Sequence, residues 1–250
     1  MPATPAWPPR STPRLFVTQP LSAGAQVMLE GPQAHYLGKV MRAKPGDAVV
    51  LCDDLTGEWA ARVVHSDKRQ IDLLAALCLR QREQVPDFWL CPALLKKDRF
   101  DLVLEKATEL GVRAIHPVVA RRCVADKLNP ERARAIVMEA AEQCARTALP
   151  ELAAPVKLDA LLREWPADRT LFFADELGGT PAAAAFATQP GPAALLIGPE
   201  GGFDDAERAA IRAHPQAVPI SLGPRILRGE TAAIAGIAAW MAVAGDWAAI

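Results

Sequence analysis

The sequence lacks the apolar run of about eighteen residues that a membrane-spanning helix needs, so no membrane span is predicted. Its first 13 residues are proline-rich and lack the apolar core of a signal peptide, and we expect residues 1–13 to be disordered. The 5 cysteines and 4 histidines are scattered, with no CxxC pair and no metal-ligand spacing. These absences predict a cytoplasmic protein with reduced thiols and no metal.

The chain also lacks a strong charge of either sign, since its formal net charge is −1. A global electrostatic field therefore does not attract nucleic acid. If the protein binds nucleic acid, it must do so through a local basic patch.

The first part of the chain has a β-rich pattern. Short strands separated by turn-forming residues are predicted at 14–17, 48–52, 58–64 and 71–75. A short helix is expected at 35–42, before the Pro-Gly-Asp turn at 44–47. Several short strands in this span predict a small β-barrel over 14–82, and the charged stretch 80–84 is expected to be a linker.

After residue 83 strands and helices alternate. Strands are predicted at 88–93, 114–119, 170–174, 193–197 and 217–222. Helices are predicted at 98–110, 129–147, 204–213 and 231–244, and a helix and loop at 180–192. This alternation predicts an α/β domain with a mostly parallel sheet over 83–250.

Two glycine-containing loops follow buried strands in this second part. The first, GPEGG at 198–202, is neither GxGxxG nor a GxxxxGK[ST] phosphate loop, which disfavours a dinucleotide or a triphosphate. The second, LGPRILR at 222–228, combines cations, apolar side chains and free backbone groups. Loops at the carboxyl ends of parallel strands predict a ligand site; a tight turn without a ligand is the alternative for the first loop.

The last helix, from Thr231, is apolar around most of its circumference and rich in small residues. Such a helix must be buried on nearly all sides, by its own domain or by a second subunit. Periodicity alone leaves these two interpretations open.

The segments LLIGPEGGF (195–203) and SLGPRILRGETAA (221–233) resemble the signature of the SPOUT class of S-adenosylmethionine-dependent RNA methyltransferases. Within it, the chain resembles the family that methylates N3 of a uridine in 16S ribosomal RNA. The resemblance covers about residues 14–245 and includes RLFV, HYL, VMR, PGD, KKDR, EKATELGV and AEQCAR. Two positions depart from the pattern: Met41 replaces a more usual aliphatic residue, and Ala145 stands where a second arginine is common.

The resemblance implies a PUA-like RNA-binding barrel at 14–82 and a SPOUT domain at 83–250, with a deep trefoil knot at about 195–235. It also implies a homodimer, S-adenosylmethionine as cofactor and 16S rRNA of the small ribosomal subunit as substrate. The implied cofactor-binding residues are Leu196, Ile197, Gly198, Pro199, Glu200, Gly201, Gly202, Leu222, Gly223, Arg225, Ile226, Leu227, Thr231 and Ala232. The cations expected to contact RNA are Lys39, Arg42, Lys44, Lys96, Lys97, Arg99, Arg121, Arg122 and Arg146.

Methylation of N3 requires loss of the imide proton, and a nearby cation stabilises the resulting uracil anion. Arg228 is the first candidate for this role and Arg14 the second; a salt bridge from Arg228 to Glu200 or Glu230 is the structural alternative. Two other functions stay open: a SPOUT enzyme that methylates a ribose 2′-hydroxyl of tRNA or rRNA, and a non-catalytic RNA-binding or ribosome-assembly protein.

Overall fold

The computed structural model describes residues 7–9, 12–67, 69–189 and 191–249. Most of the segment expected to be disordered, residues 1–6, 10 and 11, lies outside the described residues. The chain forms two compact units, one comprising 1–84 with 141–149 and the other 85–140 with 150–250. The assignment of 141–149 to the first unit was not foreseen from the sequence.

The first unit is built on one five-stranded sheet. Its strands are β1 (Arg14–Phe16), β2 (Gln26–Glu30), β3 (Ala48–Cys52), β4 (Glu58–Ser66) and β5 (Gln70–Arg80). Their order is β1-β3-β4-β5-β2, with β1 parallel to β3 and the other pairs antiparallel. Between β2 and β3 lie helix α1 (Gly31–His35) and a π-helical turn at Tyr36–Val40.

Side chains that alternate between buried and exposed positions give this sheet one apolar face. Val27 and Leu29 on β2 and Ile71 and Leu73 on β5 point into one apolar core, while their neighbours face outward. Strand β2 was not predicted, although its alternating pattern was readable in the sequence. Strand β5 is longer than expected and includes Arg80, the first residue of the predicted linker.

The second unit contains a seven-stranded sheet in which every pair is parallel, as the alternation predicted. Its order is β12-β14-β11-β13-β6-β7-β9. These strands are β6 (Phe88–Pro92), β7 (Ala114–Ile115), β9 (Glu151–Leu152), β11 (Thr170–Ala174), β12 (Thr180–Pro181), β13 (Ala193–Ile197) and β14 (Ala217–Ser221). The predicted strand at 114–119 is interrupted at Pro117, and β8 (Val118–Val119) pairs instead with β10 (Val156–Lys157).

The remaining helices are α2 (Lys97–Glu109), α3 (Pro130–Cys144), α4 (Leu158–Arg163), α5 (Ala182–Thr188), α6 (Asp205–Ala213) and α7 (Gly229–Val243), and a 3-10 turn follows at Asp246–Ala249. Helix α6 begins with the predicted capping box, in which Asp204 and Glu207 satisfy each other's backbone N–H groups. Helix α3 ends three residues early, since Ala145 adopts a positive φ of 61°. Helix α4 was not predicted. In the described ranges, no helix combines the length and hydropathy needed to cross a membrane.

Candidate functional site

Strands β14, β11 and β13 are neighbours and run in the same direction, so their carboxyl ends meet at one edge of the sheet. The loops that follow them line a cavity of about 420 Å³. The two loops predicted from the sequence, 198–202 and 222–228, contribute to its wall, as do residues directly after β11. The arrangement agrees with the rule that ligands bind at the carboxyl ends of strands in open α/β sheets.

The first loop is a closed turn that needs glycine. The Gly202 N–H donates to the Pro199 carbonyl at 2.9 Å, and Gly202 has a φ of +66°. A Cβ there would also lie 3.0 Å from Glu176 Oε1. At Gly198 a Cβ would lie 3.1 Å from the ring of Phe203. A side chain at either position would be crowded, and at Gly202 also strained by the positive φ, so glycine leaves the loop backbone open to the cavity.

The second loop leads from β14 to the start of α7. Gly223 has a φ of +112° with open space beside it, and Ile226 is among the most exposed apolar residues of the chain. At the start of α7, a Cβ on Gly229 would lie 3.0 Å from Leu95 Cδ2 and 3.4 Å from the Gly198 carbonyl oxygen. The absence of a side chain at this position lets the two loops meet.

An ionic wall, missed by sequence reasoning, faces the cavity after β11. The Asp175 carboxylate is fully buried and accepts hydrogen bonds from Arg212 Nε and Nη2 at 2.8 and 2.6 Å. Arg208 Nε lies 3.3 Å from Asp175, and Arg208 Nη2 donates to Glu176 Oε1 at 2.6 Å. Asp175, Glu176 and Arg208 all line the cavity. The sequence did contain a signal for this wall. The acidic pair Asp175 and Glu176 directly follows the buried strand β11, just as the two glycine loops follow β13 and β14.

A second charged group at the cavity is centred on Arg99, which also lines it. Arg99 Nη1 is 3.6 Å from Glu200 Oε1, and Arg99 Nε is 3.8 Å from Glu230 Oε1. Arg228 lines the cavity, and the described part of the chain offers it no ion pair within 4.0 Å. The salt bridge considered for Arg228 is therefore made by Arg99.

The cavity brings together most of the predicted cofactor-binding residues. Those lining it are Ile197, Gly198, Pro199, Glu200, Gly202, Leu222, Gly223, Arg225, Ile226, Leu227 and Ala232. Three do not line it. Leu196 is buried in the sheet, Thr231 is exposed on α7, and Gly201 accepts a hydrogen bond from Arg122 Nη1 at 3.0 Å.

Arg14, the second catalytic candidate, belongs to the first unit. Its guanidinium pairs there with the buried carboxylate of Glu58, which also accepts from Arg80 Nε at 2.6 Å. Burial by itself would raise the pKa of the Glu58 carboxyl. The hydrogen bonds and charges of the two arginines outweigh it and hold that pKa below its ordinary value.

The predicted RNA-contacting cations differ in their environment. Lys39, Arg42, Lys44, Lys96, Lys97, Arg121 and Arg122 are exposed, and Arg99 is half-buried. Arg121 also pairs with Asp204 at 2.9 Å. Arg146 is only 5% exposed, and burial lowers the pKa of its guanidinium. Because a phosphate-contacting group must reach the surface, we remove Arg146 from the proposed RNA-contacting set.

The parallel sheet, the glycine loops and the cavity of about 420 Å³ define an α/β protein with a small-molecule site at its strand ends. A family model described as the RNA methyltransferase domain matches residues 82–241, and one described as the RNA methyltransferase PUA domain matches residues 29–75. The chain belongs to the RNA methyltransferase family represented by ribosomal RNA small subunit methyltransferase E. This confirms the resemblance noted in the sequence and the PUA-like character of the N-terminal part.

Similar proteins match this chain over most of its length. Ribosomal RNA small subunit methyltransferase E of Synechocystis sp. is 33% identical over 90% of this chain and 76% of its own length. The protein of that name from Mycobacterium bovis is 32% identical over 90% and 89%. A Legionella pneumophila methyltransferase in complex with S-adenosylmethionine is 32% identical, with a TM-score of 0.85 over 94% of this chain and 99% of that one. The Neisseria gonorrhoeae ribosomal RNA small subunit methyltransferase E bound to S-adenosylmethionine is 28% identical, with the same TM-score and coverage.

Proposed function

We propose that this protein transfers the methyl group of S-adenosylmethionine to N3 of a uridine in 16S rRNA of the small ribosomal subunit. The observation that carries the proposal is the cavity formed by the loops after β11, β13 and β14. It occurs in a chain that is 32% identical to a methyltransferase whose structure contains S-adenosylmethionine.

The cavity fits this cofactor in size and chemistry. Its volume of about 420 Å³ lies within the range of small-molecule sites. Ile197, Leu222 and Leu227 provide apolar walls beside free backbone groups, which suit an adenine ring. Glu176 and Arg208 provide one carboxylate and one guanidinium, which suit a zwitterionic amino-acid group. The bound cofactor supplies an activated methyl group on its sulfonium.

The protein's contribution to the reaction is to orient the uridine and to stabilise its anion. The N3–H bond must break, with its proton passing to solvent, before a carbon–nitrogen bond can form there, and the negative charge then lies mainly on O2 and O4 until N3 accepts the methyl group. Arg228 lines the cavity with an exposed guanidinium and is our candidate to stabilise this charge. Arg14 stays the second candidate, although its pairing with Glu58 holds its guanidinium in the first unit. Glu200 Oε1 accepts a long hydrogen bond from the Lys96 N–H at 3.4 Å and pairs with Arg99. We therefore propose that Glu200 anchors the first glycine loop and does not act as the base.

We also propose that the predicted knot lies at about 195–235. Strand β14 lies on the far side of β11 from β13. The next element, α7, nevertheless packs against β13 and β6, and its first residue, Gly229, lies against the Gly198 carbonyl. This return path of the chain supports a threaded connection, which is rare among protein folds.

A homodimer that uses α7 is part of the proposal. Within the chain, one face of α7 is buried by Gly236 against Leu195 and by Trp240, whose ring stacks on Phe88 at 4.1 Å. Its other face leaves Ala235 and Ala242 exposed. Small apolar residues on an open face suit close packing with a second copy. Light scattering coupled to size-exclusion chromatography tests this, and a mass of one chain at micromolar concentration would contradict it.

The exposed cations of both units are proposed to bind rRNA phosphates, while the cavity selects the base. The target uridine must leave its stack to reach the cavity. An rRNA substrate implies that the protein works in the bacterial cytoplasm.

Two measurements test the proposed function. Isothermal titration calorimetry with S-adenosylmethionine should detect micromolar or tighter binding; absence of binding would contradict any methyltransferase function, including 2′-O-methylation. Mass mapping of 16S rRNA from cells with and without the protein should then show one uridine methyl group that depends on it. A substrate whose target uridine already carries a 2′-O-methyl group should still be methylated, because only a 2′-O-methyltransferase would be blocked.

A further inference from the structure

A bend in the first unit exposes an aromatic ring and apolar side chains among cations. We name it the 36–44 surface and define it by Tyr36, Lys39, Val40, Met41, Arg42 and Lys44. Tyr36 is the only tyrosine of the chain and is 37% exposed, while Val40 and Met41 are 62% and 42% exposed. Exposed apolar groups of this kind mark interaction sites when they cluster.

The surface has a fixed conformation. Leu37 and Ala34 on the opposite side are buried in the core of the first unit. The π-helical turn is closed by a hydrogen bond from the Met41 N–H to the Tyr36 carbonyl at 3.0 Å, and the Ala43 N–H donates to the Leu37 carbonyl at 2.9 Å. The backbone that carries Tyr36 is therefore already ordered, so a partner that bound there would not have to order it at a cost in conformational entropy.

The charged side chains that define this surface are all cations, and one carboxylate lies at its edge, where Asp47 Oδ2 accepts a hydrogen bond from the Lys44 N–H at 2.8 Å. No acidic residue occurs between Glu30 and Asp47 in the sequence. Within the part of the chain that the structure describes, Lys39, Arg42 and Lys44 have no side-chain ion pair, unlike Arg99 or Arg121. Arg42 adopts a φ of 55°, an uncommon conformation for a residue other than glycine.

Unpaired cations around an exposed aromatic ring fit a polyanion that also offers flat rings. Single-stranded RNA has both properties, because its phosphates bind Lys and Arg while an unstacked base packs on an aromatic side chain. An acidic protein segment would use the cations but not the ring.

We propose that Tyr36 is a stacking platform for one unpaired base of the rRNA, held in place by phosphate contacts to Lys39, Arg42 and Lys44. This inference rests on the proposed function, and it adds a residue that binds a base outside the cofactor cavity.

The test measures binding of the full-length protein to unmethylated 16S rRNA made by in vitro transcription, by filter binding at several KCl concentrations. Tyr36→Ala should weaken binding about 5- to 150-fold, the loss expected for one stacked base, and leave the salt dependence unchanged. Tyr36→Phe should retain nearly all the affinity because it keeps the ring. Lys39→Gln should instead reduce the slope of log K against log[salt] by about 0.7 to 0.9, the loss expected for one phosphate contact.

The controls separate this inference from folding and from the proposed function. Leu77→Ala removes another exposed apolar side chain of the first unit and should bind RNA like the wild type. Circular dichroism and the affinity for S-adenosylmethionine should be unchanged in Tyr36→Ala. The inference is overturned if the folded Tyr36→Ala protein binds like the wild type, or if Tyr36→Phe loses as much affinity as Tyr36→Ala. If the wild type itself neither binds nor methylates 16S rRNA, the proposed function fails instead.

Discussion

Replacing Arg228 by alanine tests the catalytic proposal because the structure separates its effects on rate and stability. Arg228 is exposed, makes no ion pair with any described residue and, as the residue before α7, forms no side-chain cap. Its truncation should therefore change the free energy of unfolding by no more than about 0.5 kcal/mol. If its guanidinium stabilises the uracil anion, kcat should fall about 10²- to 10³-fold, or about 2.7–4 kcal/mol.

The assay follows transfer of a radiolabelled methyl group to 16S rRNA, with calorimetry for cofactor affinity and thermal unfolding for stability. Affinity for S-adenosylmethionine should stay close to that of the wild type. The rate of Arg228→Ala should rise more steeply with pH, since alkaline solution supplies the uracil anion without the cation. Arg163→Ala, which removes an exposed arginine from α4, is the matched control. A variant that retains a wild-type kcat and pH profile would refute the role of Arg228.

Two further predictions concern the first unit. Gly57→Ala should destabilise the first unit by more than about 3 kcal/mol, because a Cβ there would overlap the Arg80 carbonyl oxygen. The control, Gly46→Ala, has a similar positive φ but open space around it, and should cost about 1–2 kcal/mol. Equal unfolding midpoints of the two variants in urea would refute the clash. Glu58→Gln should cost about 1.5–3 kcal/mol at pH 7. Because the folded-state pKa of Glu58 is lowered, its stabilisation is present above its ordinary pKa of 4.5 and is lost as the pH falls below that. The difference between wild type and variant should therefore shrink in acid, and a difference independent of pH would contradict this linkage.

The sequence predicted the fold class and the cavity well because their signals are local. Buried strands followed by glycine turns can be read from a few adjacent residues, as at 195–202. The parallel arrangement follows from the alternation of strands and helices. Strand β2 and helix α4 were missed because short elements carry weak periodicity.

The charged partners could not be predicted because they join distant parts of the chain. Asp175 and Arg212 are separated by 37 residues in sequence, and no periodicity relates Arg99 to Glu200 or Glu230. Arg146 was expected to contact RNA, but it is buried. It lies in the segment 141–149, which belongs to the first unit although it is distant from the rest of that unit in sequence.

By itself, the sequence determined an α/β domain with paired glycine loops, since turn chemistry and strand patterning are properties of neighbouring residues. The RNA methyltransferase activity was implied by the resemblance of those loops to a known family. Only the tertiary structure decided how the charges around those loops are distributed. It pairs Arg99 with the carboxylates first considered for Arg228, pairs the buried Asp175 with Arg212, and leaves Arg228 facing the cavity. The physical reason is that electrostatic interactions depend on distance in space and on burial, and both are set by the packing of strands β11, β13 and β14 side by side.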